Sequence, residues 1–337
     1  MPKNEAETRR AIDNALTRAG WAVQSQANAN LWASRGVAIE EFPLSTGEAD
    51  YLLFVDGQVA GVVEAKREGE TLTGVEIQSE KYSAGLPPDF PAKVRPLPFL
   101  FESNGVETRF TNRLDPDPRS RPLFAFPKPG WLAKLLDAAP ASNLVSFKGI
   151  GDERPAYDNR ATLRCRLRSL PPLNTTGLWP AQIKAVANLE RSLKENRPRA
   201  LIQMATGSGK TFTAITAIYR LIKYGGAERV LFLVDRANLG RQALKEFQDY
   251  TTPDDGRKFT DLYNVQFLQS NKIDPVARVV ITTIQRLYSM LQGEETLDES
   301  LEEGSQFDPS GALAKETMPV EYNPEIPIEF FDVVFTD

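Results

Sequence analysis

Asp50, Glu64 and Lys66 flank two apolar runs, ADYLLFVDG and QVAGVVEAK, which an Asp56-Gly57 hairpin signal joins. An ionised side chain beside a strand core costs free energy unless it is paired, hydrated or bound to metal, so the three charges must share something. Side chains alternate along a strand, which puts Glu64 and Lys66 on one face, and the hairpin brings Asp50 beside them. Two carboxylates and a lysine can hold a divalent cation against a phosphate oxygen, lower the pKa of its water and offset developing charge. That is the chemistry of metal-assisted phosphodiester hydrolysis. It needs no imidazole. The chain has no histidine, which removes Ser/His/Asp triads and histidine metal ligands.

A second constellation lies in ATGSGKT, Ala205 to Thr211, between an apolar run, ALIQMAT, and a helical pattern. That is the setting a phosphate-binding loop requires. Thr206, Gly207, Ser208 and Gly209 let backbone N–H groups close around phosphate oxygens, Lys210 reaches the outer phosphates, and Thr211 can ligate Mg²⁺. The implied ligand is a nucleoside triphosphate. Met204 stands where the usual loop has glycine or alanine, and the GSGKT core is intact.

The elements that position these residues can be read from periodicity. NEAETRRAIDNALTRAG predicts an amphipathic opening helix over 4–20, with Asn4 as cap and Gly20 as stop. Strand-like runs follow in GVAIEEFPL, ADYLLFVDG and QVAGVVEAK, then a helix from Gly74 to Gly85, then strands in PFLFESNG and ETRFTN. The first 130 residues read as α+β. Residues 137 to 177 lack strong periodicity and read as a seam, with a boundary near 165. The second half alternates ALIQMAT, a helix from Thr211 to Tyr224, VLFLVDR, a helix from Leu239 to Tyr250, ARVVITTI, a helix from Gln285, and FFDVVFTD. This predicts a parallel sheet covered on both faces. An acidic insertion between Gln292 and Glu329 reads as a surface loop.

Composition bounds the rest. With 41% hydrophobic and 25% charged residues the chain is ordinary for two globular domains, and a net charge of -5 gives no global attraction to nucleic acid. Arginines crowd only locally, between Arg109 and Arg121 and between Arg154 and Arg168. The single cysteine, Cys165, excludes an internal disulfide framework. No signal peptide and no long apolar run is present, so a cytoplasmic protein without membrane contact is expected.

The Asp50…Glu64-Ala65-Lys66 spacing resembles the PD-(D/E)xK nuclease constellation, with Ala49 in place of the proline. IQSEKY places Gln78 and Tyr82 four apart, similar to the QxxxY motif of RecB-like nucleases, where the pair holds the site or the DNA backbone. Glu5 or Glu7 could supply a further carboxylate; the residues do not choose between them. ATGSGKT resembles motif I of superfamily 2 helicases and translocases. LWPAQIKAV, with Gln182, resembles the adenine-reading Q motif, VDRANLGRQ motif Ia, ITTIQ motif Ib, and FDVVFTD the approach to motif II. The resemblance implies that Asp337 binds the Mg²⁺ of ATP. Because the sequence ends there and lacks a second RecA-like lobe, it is expected to bind ATP without coupling hydrolysis to movement, and to be the front part of a larger protein.

A nuclease ahead of a superfamily 2 motor resembles the R (restriction) subunit of type I restriction-modification enzymes, most of all the EcoEI/EcoAI-like branch. The strings NEAETRRAIDNALTRAGW, EFPLSTGEADYLLFVDG, EIQSEKYSAGLP and FLFESNGVETRFTNRLDPDPRSR carry the match. The expected organisation is α/β multidomain: an α+β PD-(D/E)xK endonuclease domain over 1–150, a seam over 151–175, and an incomplete RecA-like parallel-sheet helicase lobe over 176–337. The resemblance implies ATP and Mg²⁺ as cofactors, with Asp50 and Glu64 holding the nuclease metal. It also implies double-stranded DNA and the M and S subunits as partners, and site recognition by S. A type III restriction or DNA repair helicase-nuclease and an inactive DNA- or partner-binding fragment are the alternatives.

Overall fold

The computed structural model describes residues 5–72, 76–139, 162–303 and 322–337. They form two compact units, one of Met1–Cys165 with Pro327–Glu329, the other of Arg166–Ile326 with Phe330–Asp337. The expected fold class is observed: an α+β unit followed by a unit built on a parallel sheet.

The first unit opens with α1 (Glu5–Arg18), whose buried stripe of Thr8, Ile12 and Leu16 follows from their spacing and is continued by buried Ala19 just past its end. Gly20, at φ +92°, takes the left-handed conformation that ends the helix. The expected cap, Asn4, lies outside the described residues. The strands β1 (Trp21–Ser25), β2 (Gly36–Leu44), β3 (Gly47–Val55) and β4 (Gln58–Ala65) come next. After α2 (Glu76–Ala84) follow β5 (Phe99–Ser103), β6 (Thr108–Asn112), β7 (Arg121–Leu123) and α3 (Pro129–Ala138). All seven strands join one sheet in sequence order.

Asp56 and Gly57 turn β3 into β4 with positive φ at both, 48° and 76°, the conformation that a two-residue hairpin with right-handed strand twist requires. β4 and β5 are parallel, so the chain must cross over between them, and α2 makes that crossing. Gly61 faces Phe99 across this pair, and a Cβ at Gly61 would stand 2.2 Å from the Phe99 carbonyl oxygen. On one side of the sheet Val37, Ile39, Leu52, Phe54, Val62 and Leu100 pack into a single core.

The short α4 (Leu163–Leu167) spans the division between units; residues 140–161, in the expected seam, lie outside the described part. The second unit contains α5 (Pro180–Lys194), α6 (Lys210–Lys223), β8 (Val230–Val234), α7 (Ala237–Asp249), α8 (Phe259–Leu262), β9 (Val265–Phe267), β10 (Val279–Thr283), α9 (Ile284–Leu291) and β11 (Val333–Thr336). Its sheet runs β11-β8-β10-β9, all parallel, and β10 is buried along its length.

Two expectations change. The apolar run ALIQMAT is not a strand: residues 201–205 have no regular structure, and Leu201 is 97% exposed. A parallel strand needs a ladder beside it and cover on both faces, and these residues have neither. The acidic insertion is not only surface. Glu302 from it is 4% exposed, ion-paired with Arg286 and accepting from the Thr283 hydroxyl. Residues 304–321 of the insertion are outside the described part.

Candidate functional site

The hairpin brings the first constellation together. β3 and β4 pair as far as Tyr51 and Val63, and one step beyond stand Asp50 and Glu64, cross-strand neighbours on the same face. Lys66 donates from Nζ to Glu64 Oε1 at 2.8 Å. Asp50 Oδ2 accepts the Ala65 amide at 2.8 Å, which fixes the carboxylate against the end of β4. α1 supplies a cation: Arg9 Nη2 donates to Asp50 Oδ1 at 3.0 Å, and Nη1 of the same guanidinium donates to Glu41. The helix is pinned one turn later, where the Tyr51 hydroxyl donates to Asp13 at 2.7 Å. Thr8, Arg9, Asp50, Ala65, Lys66, Arg67 and Glu70 line a cleft of about 190 Å³.

Glu64 is 3% exposed, and its Oε2 has no hydrogen-bond partner among the described residues. Burial pushes its carboxyl up to about 7, with Asp50 and Glu102 adding to the rise and Lys66 opposing it. Burial alone would lower the Lys66 ammonium; its bond to Glu64 and the fields of Glu64, Asp50 and Tyr82 outweigh that and raise it. A buried carboxylate oxygen without a donor is a costly arrangement that a divalent cation would relieve. All-oxygen donors suit Mg²⁺, which binds through one or two carboxylates and completes its shell with water and phosphate. Among the described residues no group of three or more acidic, histidine or cysteine side chains is placed to hold a metal; Asp50 and Glu64 are the two carboxylates that the hairpin end brings together.

Of the other expected residues, Tyr82 on α2 lies close against Gly47, at the start of β3. Gln78 is in the same helix, and its side chain lies outside the described part, as does that of Glu5. Glu7 is exposed, and its neighbours Thr8 and Arg9 face the cleft instead.

Three residues escaped the sequence reading. Glu102 pairs in register with Glu64 across β4 and β5, is fully buried, and accepts from the Ser79 hydroxyl of α2. It stood in FLFESNG as an acid inside an apolar strand, the same signal that marked Glu64. Thr8 and Arg9 could have been found as polar residues on the stripe of α1 that carries Ile12 and Leu16.

In the second unit Gly207 and Gly209 have φ of 76° and 75°, and α6 begins at Lys210. The Ser208 hydroxyl donates to Ala205 O at 2.6 Å, closing the turn. Gln182 is 5% exposed; its Nε2 donates to Ser208 O at 3.2 Å and its Oε1 accepts the Trp179 amide at 2.9 Å. It therefore braces the loop from behind and caps α5 at once. Thr206 and Lys210 are exposed and Thr211 is half-buried. At the end of β11 the Asp337 amide donates to Leu233 O at 3.0 Å. Among the described residues no hydrogen bond or ion pair joins Asp337 to Lys210 or Thr211.

Comparison with known proteins bears on both units. The family model described as type III restriction enzyme, res subunit, matches residues 176–310, and that of the EcoKI endonuclease subunit second domain matches residues 23–112. The EcoKI endonuclease subunit of Escherichia coli K12 is 28% identical over 87% of this chain. A type I restriction enzyme endonuclease subunit of Staphylococcus aureus strain COL is 25% identical over 74% of it. The EcoAI endonuclease subunit of Escherichia coli is 39% identical over 72 residues, 21% of this chain and 9% of that protein. The chain spans 28% and 25% of the length of the first two relatives. The match to a solved fragment described as that of a putative HsdR subunit of a type I restriction enzyme from Vibrio vulnificus YJ016 covers 87% of this chain and 49% of that one, at 18% identity and a TM-score of 0.31. The helicase-like region alone is shared with type III enzymes; a type I subunit domain ahead of it, and relatives aligned across both, distinguish the two. Across both units the chain is similar to type I restriction enzyme endonuclease subunits.

Proposed function

We propose that this chain carries the DNA-cleaving site and the nucleotide-binding part of the motor of a type I restriction-modification enzyme. The nuclease lies in 1–150, a seam in 151–175, and the first motor lobe in 176–337. The whole enzyme would work in the cytoplasm with M and S subunits, draw double-stranded DNA past itself at the expense of ATP, and cut it. The observation that carries the reading is the convergence of Asp50, Glu64 and Lys66 at one end of the β3–β4 hairpin, ahead of a helicase-like region.

The residues divide the work by chemistry. Asp50 and Glu64 would hold Mg²⁺, which when bound supplies a polarised phosphate oxygen and a more acidic water. Lys66 orients that water or offsets the charge growing on the phosphate, and its bond to Glu64 keeps it in range. Gln78 and Tyr82 on α2 would hold the site or the DNA backbone. In the second unit Thr206, Gly207, Ser208 and Gly209 offer backbone amides at the N-terminus of α6, and Lys210 supplies a mobile charge for ATP phosphates. Thr211 and Asp337 would share the Mg²⁺ of ATP, and Gln182 would contact the base or, as its bonds favour, keep the loop in shape. The chain would contact DNA through phosphate, chiefly by its arginines, leaving sequence recognition to S.

The test uses the assembled complex. Lys66→Ala should abolish cleavage and leave DNA-dependent ATP hydrolysis intact, whereas Lys210→Ala should abolish both. A Lys66→Ala complex that still cuts DNA would sink the assignment of this site.

A further inference from the structure

Both carboxylate oxygens of Asp50 have protein donors. One oxygen accepts the Ala65 amide and the other accepts Arg9 Nη2 at 3.0 Å, while Nη1 of Arg9 reaches Glu41. Glu41 lies opposite Asp50 on β2, between the register pairs Glu40↔Tyr51 and Phe42↔Ala49, so one guanidinium bridges two adjacent carboxylates. The Arg9 and Asp50 side chains are 29% and 18% exposed, and both line the cleft. Beside Arg9, Thr8 is 1% exposed and its hydroxyl has no hydrogen-bond partner among the described residues, although it faces the same cleft.

We propose that Arg9 is a placeholder cation of the nuclease site, neutralising Asp50 until a divalent cation takes that carboxylate and the guanidinium passes to a phosphate of the DNA. The proposal rests on the nuclease reading above. The exchange follows from what each group binds best. A guanidinium forms a planar fork that suits a phosphate as well as a carboxylate, whereas a hard divalent cation demands carboxylate oxygen. A metal on Asp50 would also meet the positive charge of Arg9 at close range, so binding is opposed until that charge has somewhere else to go. DNA phosphate in the cleft provides the place. Metal and DNA then strengthen each other by the same factor, as linkage requires. The site would stay closed to metal in the absence of substrate.

Calcium titration of the 337-residue chain by calorimetry, with and without a short DNA duplex, tests this. The wild-type protein should bind Ca²⁺ more tightly when DNA is present. Arg9→Ala should bind it about tenfold more tightly than wild type without DNA and should lose the DNA-induced gain. Arg9→Lys, which keeps the charge but not the fork, should fall between. An Arg9→Ala protein with unchanged or weaker Ca²⁺ affinity, and with the DNA effect intact, would overturn the proposal and leave Arg9 a structural tie. Glu41→Gln guards against a misfolded variant: it leaves Arg9 in place and turns the whole guanidinium charge on Asp50, so Ca²⁺ affinity should fall, and a rise or no change counts against the idea. Asp50→Asn separates the two readings. If it leaves Ca²⁺ affinity untouched, the metal does not use Asp50 and the nuclease assignment itself fails; if affinity drops while Arg9→Ala behaves as wild type, only the placeholder role is lost.

Discussion

At the scale of single residues, the sites were legible where a charge broke an apolar pattern. Asp50, Glu64 and Lys66 stood out because strands rarely end on three charges, and the hairpin signal between them fixed which would meet. Arg9 and Glu102 also broke apolar patterns, but which residues they meet was not legible, because those partners, Asp50 and Glu64, lie far away in sequence and only the packing of α1 and β5 reveals them. The burial of Glu64 has a consequence that can be measured without DNA. Its carboxyl sits near 7 in the fold against an ordinary 4.5, so the fold favours the neutral form. Stability from this group is fully present below about 4.5 and is lost as pH rises through 7, a loss on the order of 3 kcal/mol. In EDTA, the melting temperature of the first unit should fall from pH 5 to pH 8, and Glu64→Gln should flatten that fall. Parallel curves for the two proteins would show that Glu64 titrates normally.

At the scale of elements, periodicity located the helices α1, α6 and α7 to within two residues, and turn chemistry located the β3–β4 hairpin. It misjudged ALIQMAT because an apolar run says only that burial would be favourable, not that a partner ladder is available. The parallel β4–β5 pair is the element on which the proposed nuclease site most depends, since it sets Glu102 beside Glu64. Gly61 permits that pair to close. Its added Cβ would meet backbone rather than a movable side chain, so the strands themselves would have to part. Gly61→Ala should therefore cost about 2 kcal/mol, at the middle of the range for overpacked cores, and denaturant midpoints measure it. A cost below about 0.5 kcal/mol, the level of a neutral surface change, would mean that β4 and β5 separate easily and that the Glu64–Glu102 register is soft.

For the molecule as a whole, two compact units, each with its own proposed ligand chemistry, make ligand linkage a diagnostic of which unit does what. Each ligand stabilises only the unit that holds its site, by an amount set by its concentration over its dissociation constant. At a hundredfold excess that is about 2.7 kcal/mol, which for units of this size raises a melting transition by roughly 5 to 10 °C. MgADP, compared with Mg²⁺ alone, should raise the transition of the second unit, and Lys210→Ala should remove that rise because the phosphates lose their cation. Ca²⁺ with duplex DNA should raise the transition of the first unit, and Asp50→Asn should remove it. The crossed controls decide the matter: Lys210→Ala should keep the calcium response and Asp50→Asn the nucleotide response. If Lys210→Ala left the MgADP shift intact, the loop at Thr206–Thr211 would not be the nucleotide site. If one substitution abolished both shifts, the two chemistries would share a site, and the division of labour between a cutting unit and a motor unit would be wrong.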